Sequence, residues 1–322
     1  MMCAKLLKNS DPKRILVVSQ TNIGDVVLTC PVIDILRNDF PKAKIDVVVG
    51  PKAVSLFEDN PYLSIKVFDK RAPLRKRFEW FSDLYRTHYD CVVDLRRTML
   101  GFLLMPRYAT PLTAVRLQAH KKEMHLNRLR QVYDFDSPSQ KQYAVLTTKE
   151  DEQFFEGAVA PALKGQSFVV IAPGAAAFDK RWHPKGFAAV ADHLSASYKI
   201  VFIGDAKDAE IVDEIQGHMK SSSISLAGKI NLRQLAFVLK KCLWALTHDS
   251  GVMHLACYFN VPVVTLWGPT DINRYAPWSS KSVIVRRNEK CQRCQDPKSE
   301  ATHNCMSFIE VEDVISAIAS HH

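Results

Sequence analysis

Short apolar runs alternate along the chain with stretches in which apolar residues recur every three or four positions. In the first half, runs typical of buried strands fall at residues 14–19, 44–49, 65–68 and 89–95. Segments with helical spacing lie between them, at residues 26–38, 54–57 and 78–86. A strand followed by a helix, repeated in this way, predicts a parallel sheet with helical crossovers.

The second half repeats the alternation more clearly. Apolar runs predict strands at residues 168–172, 199–203, 223–226, 243–247 and 283–285. Helical spacing is present at residues 150–158, 187–194, 209–219, 231–241 and 311–319. A chain of 322 residues is too long for one small core. We therefore predict an α/β protein with two domains, residues 1–148 and 149–322.

Polar residues follow the strand predicted at 243–247. Asp249, Ser250 and Gly251 lead directly into a helix-like segment at 252–258. Asp and Ser are favoured N-cap residues, and a glycine lets the backbone approach a ligand closely. A helix N-terminus gathers unpaired N–H groups and partial positive charge, so it favours a phosphate. This turn is therefore predicted to bind a nucleotide pyrophosphate.

Other candidates for a nucleotide site lie near predicted strand ends in the second half. Gly174 offers a backbone N–H, and Lys180 can stabilise a leaving diphosphate, although a lysine there is often only a surface residue. Asp205 can accept hydrogen bonds from ribose hydroxyls, a role for which Asp208 and Glu210 compete, or can simply cap its turn. His254 can donate to a phosphate oxygen or can be an ordinary core histidine.

Asp25 follows the first predicted strand of the first half. It stands in the turn Asn22-Ile23-Gly24-Asp25, before the helix predicted at 26–38. Open α/β sheets bind ligands at the carboxyl ends of their strands, and a carboxylate there can act as general base on a sugar hydroxyl. Capping of the helix is the equally good alternative.

Charge is distributed unevenly between the halves. Residues 1–150 contain 25 Lys and Arg against 16 Asp and Glu, whereas residues 151–322 contain 18 of each. Most of the excess lies in residues 71–130, with 13 basic and 5 acidic side chains, where the helix and strand pattern is also weaker. This asymmetry indicates an acidic partner such as nucleic acid, anionic lipid or a phosphorylated glycan, or else a solvated basic face.

The cysteines and the apolar runs bear on compartment and metal binding. No apolar run is long enough to span a membrane and no secretory signal is apparent, which predicts a cytoplasmic protein with reduced thiols. Cys291, Cys294 and Cys305, with His303 nearby, have part of the spacing of a structural zinc site. The two-residue step from His303 to Cys305 is awkward for such a site, so free thiols or a redox pair remain alternatives.

Four segments together resemble the lipopolysaccharide heptosyltransferases, the ADP-heptose-using glycosyltransferases of family 9. They are the segments at residues 23–31, 173–175 with 180–182, 249–255 and 267–271. The tail with Cys291, Cys294, Cys305, Ile309 and Val314 also looks like the tail of many members. The Asp-Ser-Gly-x-x-His signature that begins at Asp249 is the most specific of them. The resemblance implies a GT-B fold, with two Rossmann-like domains facing a central cleft. It also implies inverting transfer of a heptose from ADP-heptose, with no catalytic metal and no cofactor beyond the donor substrate.

The resemblance also implies roles for particular residues. By this resemblance Asp25 is the general base that deprotonates the acceptor hydroxyl, and Lys180 stabilises the leaving diphosphate of the donor. Ser250, Gly251 and His254 bind the phosphates, with Gly174 and Asp205 as further donor-binding candidates, and Asp249 holds the donor sugar. The acceptor implied by the resemblance is Kdo-lipid A or a heptosylated core, at the inner face of a Gram-negative inner membrane. The basic residues expected to contact it are Arg71, Arg96, Arg97, Arg116 and Lys121.

Three other functions are weighed against this one. The first is a transferase of the same fold that uses another nucleotide sugar. The second is a non-catalytic nucleic-acid-binding protein, but residues 71–130 lack the regular basic and aromatic strand pattern of common RNA-binding modules, so no nucleic-acid partner is expected. A nicotinamide dehydrogenase is disfavoured because no Gly-x-Gly-x-x-Gly follows the first strand.

Overall fold

The computed structural model of the chain describes residues 10–112, 118–136, 141–289, 291–296, 301 and 303–320. The chain divides into two compact units, Met1–Leu146 and Thr147–His322. This division falls two residues before the expected boundary between residues 148 and 149.

A parallel sheet organises the first unit. Its strands are β1 (Arg14–Val18), β2 (Lys44–Val49), β3 (Leu63–Val67), β4 (Cys91–Asp94) and β5 (Tyr108–Ala109). They lie in the order β3-β2-β1-β4-β5. The helices are α1 (Ile23–Val27), α2 (Cys30–Asp39), α3 (Leu74–Thr87), α4 (Leu100–Leu103) and α5 (Lys121–Arg130), with a 3-10 turn at Pro51–Leu56. Strands β1 and β4 are almost wholly buried, as their apolar runs predict.

The helix predicted at residues 26–38 is two helices in the structure. Helix α1 begins earlier, at Ile23, and α2 starts again at Cys30. Pro31 lies in the first turn of α2, where its missing N–H costs nothing, whereas inside one continuous helix it would remove a hydrogen bond. The break places Asp25 within a short first helix directly after β1.

A second parallel sheet organises the other unit. Its strands are β6 (Phe168–Ala172), β7 (Lys199–Phe202), β8 (Ile224–Ser225), β9 (Ala245–His248), β10 (Val263–Leu266) and β11 (Ser282–Val285). They lie in the order β11-β10-β9-β6-β7-β8. Its α-helices are α6 (Lys149–Phe154), α7 (Ala160–Leu163), α8 (Pro184–Leu194), α9 (Ala209–His218), α10 (Leu232–Lys241), α11 (Gly251–Tyr258), α12 (Ile272–Tyr275), α13 (Gln292–Gln295) and α14 (Val311–Ala319). A π-helical segment Phe155–Val159 and 3-10 turns at Phe178–Lys180, Ala206–Asp208 and Cys305–Phe308 complete it.

The core of the second unit lies between its sheet and the surrounding helices. Trp182, Phe187 and Trp244 are buried in it together with Met306 and Ile309 from the C-terminal segment. The two parallel α/β units confirm the predicted fold class. Among the helices of the described residues, none is both long and apolar enough to cross a membrane.

Candidate active site

The chain reverses the direction in which it adds strands at the middle of the second sheet. Strand β6 lies between β9 on one side and β7 on the other, and Ala172 at the end of β6 pairs with Thr247 of β9. Open α/β sheets bind ligands outside the carboxyl ends of the strands at such a switch point. The loops that follow β6 and β9 therefore flank the place where a ligand is expected.

An ion pair joins these two loops. The Nζ of Lys180, in the 3-10 turn after β6, lies 2.7 Å from Oδ2 of Asp249, directly after β9. The carboxylate side chain is 8% exposed and the lysine side chain 30%. An ammonium group has three N–H donors, so one bond to Asp249 leaves two for an anion. The structure thus brings together two residues that the sequence predicted as donor-binding.

Ser250 occupies the N-cap position of α11, as predicted, but it does not cap the helix. Its backbone is extended and its side chain makes no capping hydrogen bond. The Oγ atom is buried and has no hydrogen-bond partner within the described residues. Because an unsatisfied buried hydroxyl costs free energy, this atom is placed to bond with a ligand at the helix N-terminus that begins with Gly251.

His254 lies one turn into α11, beside the ion pair. Its side chain is buried, and Nε2 is 4.0 Å from Oδ1 of Asp249. Its ring stacks on Trp278, with ring centroids 5.5 Å apart and planes inclined by 15°. The residue is therefore packed like a core histidine and also adjoins the candidate site, so both alternatives raised by the sequence describe part of its environment.

Asp205 has the capping role that was the alternative for it. It is exposed, and its Oδ1 accepts hydrogen bonds from the backbone N–H groups of Lys207 and Asp208. The acid that lies against the strand ends is Asp208, whose carboxylate would be 2.2 Å from a Cβ added at Gly174. Burial raises the pKa of Asp208. Glycine at 174 therefore leaves room for a carboxylate that sequence reasoning weighed only as a competitor of Asp205.

His248, the last residue of β9, was not predicted. It is fully buried, and its Nε2 accepts a 2.9 Å hydrogen bond from the backbone N–H of Trp182, two residues after Lys180. Burial lowers the pKa of His248 to about 4, so the ring is neutral at pH 7 and remains an acceptor. Its position at the end of a buried strand, one residue before Asp249, is the sequence signal that identifies it.

We expect His248 to make the stability of the second unit depend on acid pH. In the unfolded chain the pKa of His248 is about 6.5. As pH falls below 6.5, the unfolded state therefore takes up a proton on this residue, whereas the folded state does so only near pH 4. The free energy of unfolding is therefore highest above pH 6.5 as far as this residue is concerned, and it falls by about 3 kcal/mol between pH 6.5 and pH 4. Urea unfolding of His248→Gln, which keeps an acceptor for Trp182, is expected to show a shallower pH dependence in this window.

A matched control for that measurement is His218→Gln, which alters an exposed histidine of α9. It should reproduce the wild-type slope between pH 4 and 6.5. Equal slopes for wild type and His248→Gln would show that His248 is not held neutral by burial.

In the first unit, β1 lies between β2 and β4, so its carboxyl end is again a switch point. Asp25 stands there on α1, half-buried, with Oδ2 3.3 Å from Nδ2 of Asn22. The position is the one that the sequence predicted, and the carboxylate keeps lone pairs for a further donor.

Basic side chains gather near the end of β4. His125 is buried, and burial together with the charges of Lys121, His120, Arg128 and Arg97 lowers its pKa to about 3. Arg128 donates from Nε to the backbone oxygen of Asp94, the last residue of β4, at 3.1 Å. Two predicted acceptor residues, Arg97 and Lys121, thus belong to one cationic group.

The other predicted acceptor residues have different surroundings. The guanidinium of Arg96 lies 6.0 Å from the ring centroid of Phe68. Arg71 is exposed, and its backbone N–H donates to Asp69. Arg116 lies outside the described residues. Arg128 joins the cationic group, with the buried and neutral His125 beside it. Neither was selected from the sequence, because their positions depend on how α5 packs near β4.

One set of potential metal ligands lies in the segment after β11. Among the described residues, the ligand atoms of Cys291, Cys294, His303 and Cys305 all lie within 4.8 Å of one another. The structure therefore joins His303 to the three cysteines that the sequence left open as a structural metal site.

Two parallel α/β units, each with polar side chains at the switch point of its sheet, are typical of the GT-B class of glycosyltransferases. Residues 88–304 match the model of glycosyltransferase family 9 (heptosyltransferase). This match covers more than half of the chain, so the chain belongs to that family. The resemblance drawn from the sequence is confirmed.

Similar proteins agree with this family over nearly the whole chain. The chain is 26% identical to lipopolysaccharide heptosyltransferase 3 of Escherichia coli, with 92% of this chain and 95% of the relative covered. A glycosyl transferase family 9 structure from Veillonella parvula is similar with a TM-score of 0.81, 25% identity and 97% of both chains covered. The structure of E. coli ADP-heptose lipopolysaccharide heptosyltransferase II is similar in fold, with a TM-score of 0.75, 20% identity and coverage of 96% of this chain and 98% of that one.

Proposed function

We propose that this enzyme transfers a heptose from ADP-heptose, with inversion at the anomeric carbon, to a Kdo or heptose hydroxyl of the lipopolysaccharide inner core. The observation that carries the proposal is the Lys180–Asp249 ion pair at the switch point of the second sheet, next to the Ser250 hydroxyl, which has no hydrogen-bond partner among the residues that the structure describes. The names of the similar proteins support the sugar and the acceptor.

The second unit would hold the donor. Lys180 neutralises charge that develops on the leaving diphosphate, while the Ser250 hydroxyl and the Gly251 N–H bind its oxygens at the N-terminus of α11. Asp249 orients the lysine through their 2.7 Å contact and accepts from a hydroxyl of the donor sugar. His254, whose Nε2 is 4.0 Å from Oδ1 of Asp249, donates a hydrogen bond to an oxygen of the same diphosphate that Lys180, Ser250 and Gly251 bind.

The first unit would hold the acceptor. Asp25 removes the proton from the attacking hydroxyl, and the cationic group around Arg97 and Lys121 attracts the carboxylate or phosphate groups of an inner-core glycan. Inversion needs one base and one stabilised leaving group, so we propose a reaction without a cofactor beyond the donor.

We further propose that the enzyme works in the cytoplasm of a Gram-negative cell, as a peripheral protein at the inner membrane. Its acceptor would be anchored there by a lipid. Large apolar side chains are exposed on the first unit alongside its basic ones: Leu74, Phe78, Met99, Phe102 and Met105. Apolar and basic side chains together favour binding to an anionic lipid surface.

A panel of donors tests the proposal. The purified enzyme is incubated with ADP-heptose or a UDP-hexose and with core acceptors that end in Kdo or in one heptose. We expect transfer from ADP-heptose to one of these acceptors. Transfer from the UDP-hexose alone would reassign the donor, and RNA binding with a steep salt dependence and no transfer would make the chain a nucleic-acid-binding protein.

His254→Ala is expected to weaken ADP binding by about 10- to 150-fold, because hydrogen bonds to charged groups contribute about 1.5–3 kcal/mol. Isothermal titration of ADP measures the effect. Acceptor affinity should change less, since the residue lies in the second unit. His218→Ala, which removes an exposed histidine of the same unit, is the control. Unchanged ADP affinity in His254→Ala would show that this residue has a structural role and does not bind the donor.

A further inference from the structure

Four side chains converge after β11, in a segment that the transfer reaction does not use. Sγ of Cys305 lies 3.4 Å from Sγ of both Cys291 and Cys294. Nδ1 of His303 lies 3.4 Å from Sγ of Cys294 and 3.6 Å from Sγ of Cys291. The backbone N–H of Cys294 donates to the carbonyl of Cys291 at 2.9 Å, which closes a tight turn between the first two cysteines.

These distances are close to those of a tetrahedron around a metal ion. Zinc–sulfur bonds of about 2.3 Å at tetrahedral angles place two sulfurs about 3.8 Å apart, and a sulfur and a histidine nitrogen about 3.6 Å apart. A disulfide would draw one pair of sulfurs to about 2.05 Å and leave the third cysteine and the histidine unused. Here Cys305 is equally distant from both other sulfurs, so no pair is singled out.

We propose that Cys291, Cys294, His303 and Cys305 bind one Zn²⁺ ion in a closed structural site. Three thiolates and one imidazole are a ligand set that zinc uses in structural centres. Four protein ligands leave no open coordination position, which distinguishes such a site from a catalytic one. Nδ1 is the histidine atom that faces the sulfurs.

The ion would hold the segment that supports the turn carrying Lys180. Met306, directly after Cys305, is buried, and a Cβ added at Gly268 would lie 2.9 Å from its Sδ and 3.4 Å from the carbonyl of Asp179. Three residues further, the carbonyl of Ile309 accepts a 2.9 Å hydrogen bond from Nε1 of buried Trp182. The residues on both sides of Lys180 therefore rest against the chain that the metal site ties down.

Metal analysis of the purified protein tests the site. The enzyme is prepared without a metal-affinity column, and its zinc and iron are measured by elemental analysis. We expect about one zinc per chain in wild type, none above background in Cys294→Ser, and full zinc in Cys242→Ser, whose half-buried thiol lies outside the cluster. His303→Cys keeps four ligands and should retain zinc even where Cys294→Ser folds poorly.

Several results would overturn the proposal. Wild-type protein without metal, or with a disulfide between any two of the three cysteines, contradicts it. Iron in place of zinc, or equal zinc in wild type and Cys294→Ser, also contradicts it.

A second readout addresses the link to the donor site and rests on the proposed function. Zinc is removed from wild-type enzyme with a thiol-specific mercurial and a chelator, and then restored after the mercurial has been reversed with excess thiol. ADP affinity should fall several-fold on removal and recover with zinc. Unchanged ADP affinity after zinc removal would be consistent with the metal site but would show that the site does not support Lys180. Absence of any ADP binding with zinc present would instead contradict the proposed function.

Discussion

Replacing Asp25 with asparagine is expected to lower the rate of heptose transfer by about 10²–10⁴-fold, the range that a general base contributes. The amide has nearly the shape of the carboxylate and can keep the contact with Asn22, but it cannot take a proton. ADP affinity should not change, because the residues expected to bind ADP belong to the second unit. Steady-state transfer rates and ADP titration together separate the two effects.

Asp83→Asn is the matched control, since it alters an exposed carboxylate on α3 of the same unit. It should transfer heptose at the wild-type rate. Normal turnover in Asp25→Asn would contradict the assignment of the base, and helix capping would then be the better account of this residue.

Replacing Lys180 with methionine is expected to lower kcat by about 10²–10³-fold, as loss of one group that stabilises transition-state charge does. ADP affinity should fall as well, because the change also leaves the buried carboxylate of Asp249 without its 2.7 Å partner. The double variant Lys180→Met/Asp249→Asn removes that uncompensated charge. It should regain part of the ADP affinity but none of the turnover.

Lys185→Met, an exposed lysine of α8 five positions away, controls for loss of positive charge near the site. It should behave like wild type in both measurements. If kcat of Lys180→Met stays within a few-fold of wild type, Lys180 is a structural partner of Asp249 and not a stabiliser of the leaving group.

The predictable part of this fold was its alternation of strands and helices. Buried parallel strands are continuous apolar runs, and the crossover helices show their apolar period locally, so both can be read from short windows of sequence. The polar residues at strand ends follow from the same windows, which is why the turn beginning at Asp249 was recognisable. The break before α2 was missed because the apolar spacing continues across it, although a proline at the sixth position of one continuous helix would remove a hydrogen bond that its place in the first turn of α2 does not.

Contacts between distant segments could not be predicted in this way. The Lys180–Asp249 pair joins residues 69 positions apart and depends on β9 lying beside β6, which no local pattern encodes. Asp205 and Asp208 both follow β7 within a few residues, and only the folded turn shows that Asp205 caps while Asp208 lies against Gly174. The unused capping position of Ser250 is likewise a property of the folded loop.

The cysteine cluster illustrates the same limit. The spacing between His303 and Cys305 argued against a metal site, because it was judged by the ligand spacing of common zinc motifs. In the structure the chain returns to the turn at Cys291 and Cys294 and brings all four ligand atoms within 4.8 Å. Sequence spacing limits how ligands can be placed, but the folded positions of the segments that carry them decide whether they meet.

The most direct test of the central claim is the structure of the transfer product. ADP-heptose and a Kdo-terminated or singly heptosylated core acceptor are incubated with the enzyme, and the product is analysed by mass spectrometry and NMR. We predict one added heptose whose anomeric configuration is inverted relative to the donor. A product with retained configuration, or no heptose added to either acceptor, would contradict the account.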